Sequence, residues 1–289
     1  LKPDSERLLR HLKAVSRERN WETSPEALAE VQAYVAEEFR SYGLNVLEEP
    51  FIFSGKSFCN VIARSALDSR AARLILGAHF DAVSGSPGAD DNATGIAALL
   101  EVARLFRLSP VSSSGAVEFV AFNIEEYGMI GSRAYAEKFR RERASLLGML
   151  SLEMIGYTSK TPGSQKMPLF LKPFYPDTGN FIGLVANLKS KKFLKEVEPI
   201  FKNVEGLPVE TLTLPGKGWI FPDARLSDHS PFWDEGFPAL LVTDTSFFRN
   251  PYYHTSGDRI ETLDLDFLAK VTEAAARTVI HFASRRVNR

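Results

Sequence analysis

Short apolar runs that end on His, Asp or Glu recur along this chain, and they constrain its fold more than any other feature. Leu74-Ile75-Leu76 leads into His79-Phe80-Asp81, the run 117–122 leads into Glu125-Glu126, and the run 149–152 leads into Glu153. Gly88-Ala89-Asp90-Asp91-Asn92 makes a further acidic loop, and His254 stands near the C-terminus. A short apolar run bounded by polar residues reads as a strand buried on both faces. Between these runs, residues 94–108 place Ile96, Leu99, Leu100, Ala103 and Phe106 on one helical face, and 133–143 form a second helix. This strand, ligand, helix rhythm is read three times between 74 and 153. Strands alternating with helices predict a parallel sheet with helices on both faces. Such a sheet gathers its chemistry beyond the carboxyl ends of its strands, where these residues fall. The set suits two divalent ions sharing a carboxylate, with one carboxylate left over to handle protons.

The rest of the chain fits one domain, 1–289, with a helical segment 1–43 packed on it. Ser24 reads as an N-cap, Pro25 as the first helical residue, Leu28, Val31, Val35, Phe39 and Tyr42 as the apolar stripe, and Gly43 as the stop. Residues 46–62 read as two extended segments turning at Ser54-Gly55. Residues 181–201 read as helical, Leu240-Leu241-Val242 as a strand, and 264–282 as a closing amphipathic helix. The stretches 157–168 and 213–231 are too long for simple connections, which marks them as functional loops.

Bulk properties exclude several classes. With 35 Lys and Arg against 36 Asp and Glu, the charge is −1, so there is no basic footprint for nucleic acid. The single Cys59 excludes an internal disulfide and any multi-Cys zinc site. No apolar run reaches the length of a membrane span. The chain opens on Leu1-Lys2-Pro3 without Met, which is read as a trimmed, mature form. The compartment is left open, with a lean to secreted or periplasmic.

Each candidate residue also has an ordinary structural explanation. His79 and Asp81, one residue apart on an extended segment, point to one side, so Asp81 can fix which imidazole nitrogen faces a metal. Alone they are equally a surface pair. Asp90-Asp91-Asn92 opens a helix, where Asp and Asn also serve as caps. Asn92-Ala93-Thr94 is a glycosylation sequon that must be buried and unmodified if Asp91 is a ligand. Glu125 and Glu126 face differently at a strand end, so one can bind metal while the other faces substrate; a charged helix N-terminus is the plain reading. Glu153 inside an apolar strand needs a partner. Asp228, in Ser227-Asp228-His229, reads as supporting the ligands from behind or meeting substrate, with helix capping as its alternative. His11 and His281 sit in helices without acidic companions and read as structural.

Taken in order, His79-x-Asp81, Gly88-Ala89-Asp90-Asp91-Asn92, Glu125-Glu126, Glu153-Met154, Ser227-Asp228-His229 and His254-Thr255 resemble the M28 family of zinc aminopeptidases, over roughly residues 24–285. The resemblance implies a three-layer α/β/α fold with a mixed, mainly parallel central sheet. It implies two zinc ions, or other divalent ions, bridged by Asp91. His79 and Glu153 would complete one site, Glu126 and His254 the other, and Glu125 would be the general base. It further implies a cis bond at Asp91–Asn92, and peptides with a free N-terminus as substrates. Position 153 departs from the family, which most often has Asp there. On the same fold a glutaminyl cyclase, which needs one zinc site, is the alternative, as is a carboxypeptidase-type or amino-sugar zinc hydrolase. A metal-free binding domain is the reading from another class. Aromatic stretches at Phe170 to Tyr175 and Trp219 to Phe221, with Phe247, Phe248, Tyr252 and Tyr253, are expected to shape an apolar pocket for large hydrophobic N-terminal residues.

Overall fold

The computed structural model describes residues 2–65, 72–111 and 116–284. The apolar runs are strands: β3 (Arg73–His79), β4 (Ala116–Phe122), β5 (Leu146–Glu153) and β8 (Ala239–Thr243). β3 is buried at every position, as a strand covered on both faces must be. These four lie parallel in the order β4-β3-β5-β8 at the centre of an eight-stranded sheet. The hairpin β1 (Asn45–Phe53) and β2 (Lys56–Arg64) extends one side antiparallel through β2 on β4. Ser54 and Gly55, both at positive φ (48° and 73°), make its two-residue turn. On the other side β6 (Ile182–Asn187) runs antiparallel to β8, and β7 (Val209–Leu214) closes the edge parallel to β6.

Two-residue periodicity sorts the strand side chains into two cores. Leu74, Leu76 and Ala78, with Leu150, Leu152, Leu240 and Val242, face the layer built by α1 (Ser5–Val15), α2 (Pro25–Ser41), α3 (Gly95–Leu108), α5 (Lys191–Lys202) and α7 (Leu265–Ser284). Ile75, Val120, Phe122 and Met149 face α4 (Ile130–Arg141) and α6 (His229–Asp234) through Tyr135, Phe139, Phe232 and Trp233. The result is the three-layer α/β/α arrangement with a mixed, mostly parallel sheet.

The helix α2 begins after Ser24 and stops at Gly43 (φ 73°) as expected, although the Ser24 hydroxyl accepts from the Asn20 amide and not from its own helix. Three expectations need correction. Residues 181–201 are not one helix. Ile182-Gly183-Leu184-Val185-Ala186 alternates in the sheet, Asn187 turns the chain by accepting from the Ser190 amide, and only α5 is helical. A short apolar run carries no periodicity that separates strand from helix, and here the neighbouring strands decided. The third strand-ligand unit carries no helix after Glu153; the chain runs irregularly to β6. The stretch 213–231 is shorter as a loop than expected, holding the end of β7, a turn at Pro222–Arg225 and the start of α6.

His11 is fully buried where α1 crosses α2, its Nδ1 2.7 Å from the Tyr34 hydroxyl and its Nε2 3.5 Å from that of Tyr42. Burial pushes its pKa down to about 4. In the unfolded chain it titrates near 6.5, so the folded state loses stability as pH falls from 6.5 to 4 and none above that window. Between pH 7 and pH 4, His11→Gln is therefore expected to lose less stability than the parent, by up to about 3 kcal/mol. Urea denaturation at a series of pH values measures this; parallel curves for the two proteins would refute it.

Candidate metal centre

His79 ends β3, and its ring is fully buried. Its Nδ1 lies 3.3 Å from the Asp81 carbonyl and 3.5 Å from the Asp81 carboxylate, which leaves Nε2 facing inward. That nitrogen is 3.3 Å from Asp91 Oδ1, 3.3 Å from Glu153 Oε1 and 3.8 Å from Glu125 Oε2. His254 approaches from the other side: its Nε2 is 3.1 Å from Asp91 Oδ2 and 3.0 Å from Glu126 Oε2. Each oxygen of one carboxylate thus meets a different imidazole. One donor atom each of His79, Asp91 and Glu126 lies within 4.8 Å of the others.

The loops that deliver these side chains are tightly specified. Asp81 accepts from the amides of Glu125 (2.9 Å) and Glu126 (3.2 Å), so the acid that orients His79 also fixes the loop after β4. Asp258 does the same for the amides of Asp90 (2.8 Å) and Asp91 (3.1 Å). The Asp91–Asn92 bond is cis, and Asn92, wholly buried, donates to the Leu152 carbonyl (2.8 Å) and accepts from the Met154 amide. The sequon is therefore buried. Buried Arg19 donates to the carbonyls of Phe80, Pro87 and Gly88. At Gly88 (φ 56°) a Cβ would collide with the Asp91 carbonyl and the Arg19 guanidinium. Ile124, Met154 and His254 also hold positive φ (56°, 45° and 58°), a strained backbone that only a well-determined surrounding retains.

Electrostatics here are those of a largely buried acid cluster with His254 at its exposed rim. Burial pushes Glu126 up to about 7, with Asp91 adding to it, and pushes Glu125 well above the usual carboxylate range against the pull of His79. Burial also opposes charge on Asp91, yet bonds from His254 and His79 hold it below the ordinary range. For His254 burial is outweighed by Asp91 and Glu126, which raise it to about 10. Glu126 Oε1 is buried with no hydrogen-bond partner among the described residues. Two imidazoles and three carboxylates, with an orphaned oxygen among them, are a donor set that divalent cations fit.

Asp228 stands at the start of α6, behind the cluster. Its oxygens are buried and make no hydrogen bond of ordinary geometry, though the Ser132 hydroxyl lies close enough to ease the burial that lifts it to about 7. It is not among the residues lining the cavity in front of the cluster. That cavity, about 390 Å³, is bounded by Asp91, Glu125, Glu126, Glu153 and His254 at one end and by Tyr175, Phe181, Phe221, Phe247, Phe248 and Tyr253 along its walls. Phe170 and Trp219, expected there, are exposed instead, with Trp219 beneath the Arg225 guanidinium, and Tyr252 packs on Tyr157.

The sequence reading gave no role to Arg19, Asp244, Asn250, Asp258 or Ser227. Asn250 donates to Asp90 Oδ2, and Asp244 accepts from the amides of Tyr157 and Ser246. Asp244 carried a usable signal, since it follows an apolar strand as Glu153 does. Ser227 donates to Glu153 Oε2 (2.7 Å), turning Oε1 to His79. Arg19 bonds only to carbonyls here, which leave no mark in a sequence.

An α/β sheet with a largely buried His and carboxylate cluster at its carboxyl edge, opening on a cavity walled mainly by apolar side chains, is the architecture of a metallohydrolase. The profile of peptidase family M28 matches residues 60–279. The chain belongs to that family. Protein YfbL of Escherichia coli (strain K12) is 34% identical over 254 residues, covering 83% of this chain and 76% of YfbL. A probable leucine aminopeptidase of Arthroderma otae is 27% identical over 232 residues, 76% of this chain and 55% of that protein; the chain spans about half the length of the fungal leucine aminopeptidases it matches. Among solved structures, LapA of Legionella pneumophila superposes with a TM-score of 0.79 at 20% identity, over 98% of this chain and 74% of LapA. Glutaminyl cyclase of Porphyromonas gingivalis superposes with a TM-score of 0.67 at 18% identity, over 95% of each chain. At these identities the structures share the fold.

Ser227→Ala would leave Glu153 Oε2 buried without its donor. One cation site is expected to weaken by about 10- to 100-fold, the usual cost of losing a group that orients a ligand. Competition with a chromophoric chelator reads this out, and unchanged affinity would mean that Glu153 holds no ion.

Proposed function

We propose that the chain is a two-zinc aminopeptidase that releases N-terminal residues from peptides, with Glu125 as the group that moves the proton. The observation that carries this reading is the Asp91 carboxylate, whose two oxygens face His79 and His254 separately. Asp91 would bridge, His79 and Glu153 would hold one ion, and Glu126 and His254 the other. When bound, the two ions supply Lewis acidity that makes water acidic and polarises a peptide carbonyl.

The protein's own groups do the rest. Glu125 lines the cavity, only 8% exposed, and its amide is pinned by Asp81. A carboxylate in such a dry place takes a proton from the attacking water and returns it to the departing amine. The acids of the cluster attract a free α-amine. Asp81 fixes the tautomer of His79, and Asp228 supports the cluster from behind without touching substrate. Glu153 has the longer arm where the family most often has Asp, and Ser227 takes up its second oxygen.

Glutaminyl cyclase shares the fold. His79 and Glu153, which meet at Asp91 Oδ1 while His254 meets Oδ2, would supply a second cation position, and this favours the hydrolase. Metal analysis of the loaded protein is expected to give two ions per chain, and chelation is expected to abolish hydrolysis of aminoacyl amides. Glu125→Gln should keep its metal while kcat falls by about 10²- to 10⁴-fold. Full activity in that variant would remove Glu125 from the role, and one ion per chain with cyclisation of N-terminal glutamine would replace the hydrolase.

A further inference from the structure

Among the described residues, six carboxylates line the cavity and no Lys or Arg does. Four of them, Asp91, Glu125, Glu126 and Glu153, belong to the metal cluster; Glu210 on β7 and Asp223 on the 222–225 turn do not. The sheet register shows where Glu210 stands. Glu153 pairs with Thr243, Thr243 with Gly183, and Gly183 with Glu210, so the four form one row across β5, β8, β6 and β7. Residues paired in this way point to the same face, and all four line the cavity. Three strand spacings put Glu210 roughly 14 Å along the floor from Glu153. Gly183, without a side chain, leaves the floor between them open.

Glu210 is half-buried and makes no hydrogen bond or ion pair among the described residues. Burial raises its pKa, and Lys202, the cation whose field it feels, is hydrogen-bonded to Glu198. Beside it stands Tyr175, whose hydroxyl donates to the Thr211 carbonyl. A carboxylate stranded at the end of an apolar trough suits a side chain with an apolar stem and a cationic tip. Leucine is too short to span the gap. The four-carbon stem of lysine, or the guanidinium arm of arginine, reaches the length required once the Glu210 arm is added.

We infer that the far end of the cavity is a subsite for a cationic side chain, with Glu210 as its counter-ion, so that the substrates begin with Lys or Arg. This rests on the aminopeptidase reading above and narrows its substrate class.

The test compares kcat/KM of the zinc-loaded full chain and of Glu210→Gln on the p-nitroanilides of lysine, arginine, norleucine and leucine. Norleucine keeps the lysine stem and lacks the charge. The parent protein is expected to favour Lys or Arg over norleucine, and Glu210→Gln to lower that ratio about tenfold, the worth of one hydrogen bond to a charged group. A parent that favours norleucine or leucine, or a ratio unmoved by the substitution, overturns the subsite. If no amide is cleaved, calorimetric binding of free lysine and norleucine to both proteins is the readout. A lysine preference that depends on Glu210 then keeps the subsite and removes the aminopeptidase reading, whereas equal binding of the two amino acids overturns both.

Discussion

A buried carboxylate shared between two imidazoles is the constraint on which the rest of this structure depends. Asp91 is 4% exposed, and an isolated charge so placed costs several kcal/mol. His79 and His254 offset that cost from opposite sides, and the acids gathered behind them would recreate it without cations. The surrounding loops hold this arrangement in place. Asp258 grips the two amides of the Asp90-Asp91 loop, Arg19 gathers its carbonyls, and Asn92 ties it to the end of β5. Each of these partners is buried, so each would leave an unsatisfied group if the loop moved.

The sheet extends this logic into the cavity. Its central strands end together at one edge, which brings His79, the Glu125 loop and Glu153 side by side. The face of the sheet that α4 and α6 cover under the centre is left open towards β6 and β7, and there it becomes the floor of the cavity. One set of pairings therefore sets both the cluster and the distance from it to Glu210. The cluster and the Glu210 carboxylate share a scaffold, and a change of register in β6 would shift one relative to the other.

Much of this could be read from the chain. The runs into His79, Glu125 and Glu153 gave strand, polarity and position together, because an ionisable group at the end of an apolar strand has few comfortable explanations. The Asp90-Asp91-Asn92 loop and His254 were legible through the order of motifs, which resembled one family. The segment 181–201 was not legible, since Ile182 to Ala186 is apolar whichever element it joins. Nor were the supports: Arg19 and Asn250 lie far in sequence from the carbonyls and carboxylate they bind.

Local pattern alone determined that the chain would form an α/β sheet with His79, Glu125, Glu126 and Glu153 along its carboxyl edge, because apolar runs, helix stripes and stop signals are local properties. Only the tertiary structure decided which oxygen of Asp91 meets which imidazole, that Asp228 sits behind the cluster and not in the cavity, and that Glu210 shares a row with Glu153. Those are contacts between residues tens of positions apart, and they follow from register and burial, which the chain settles only when the strands pair.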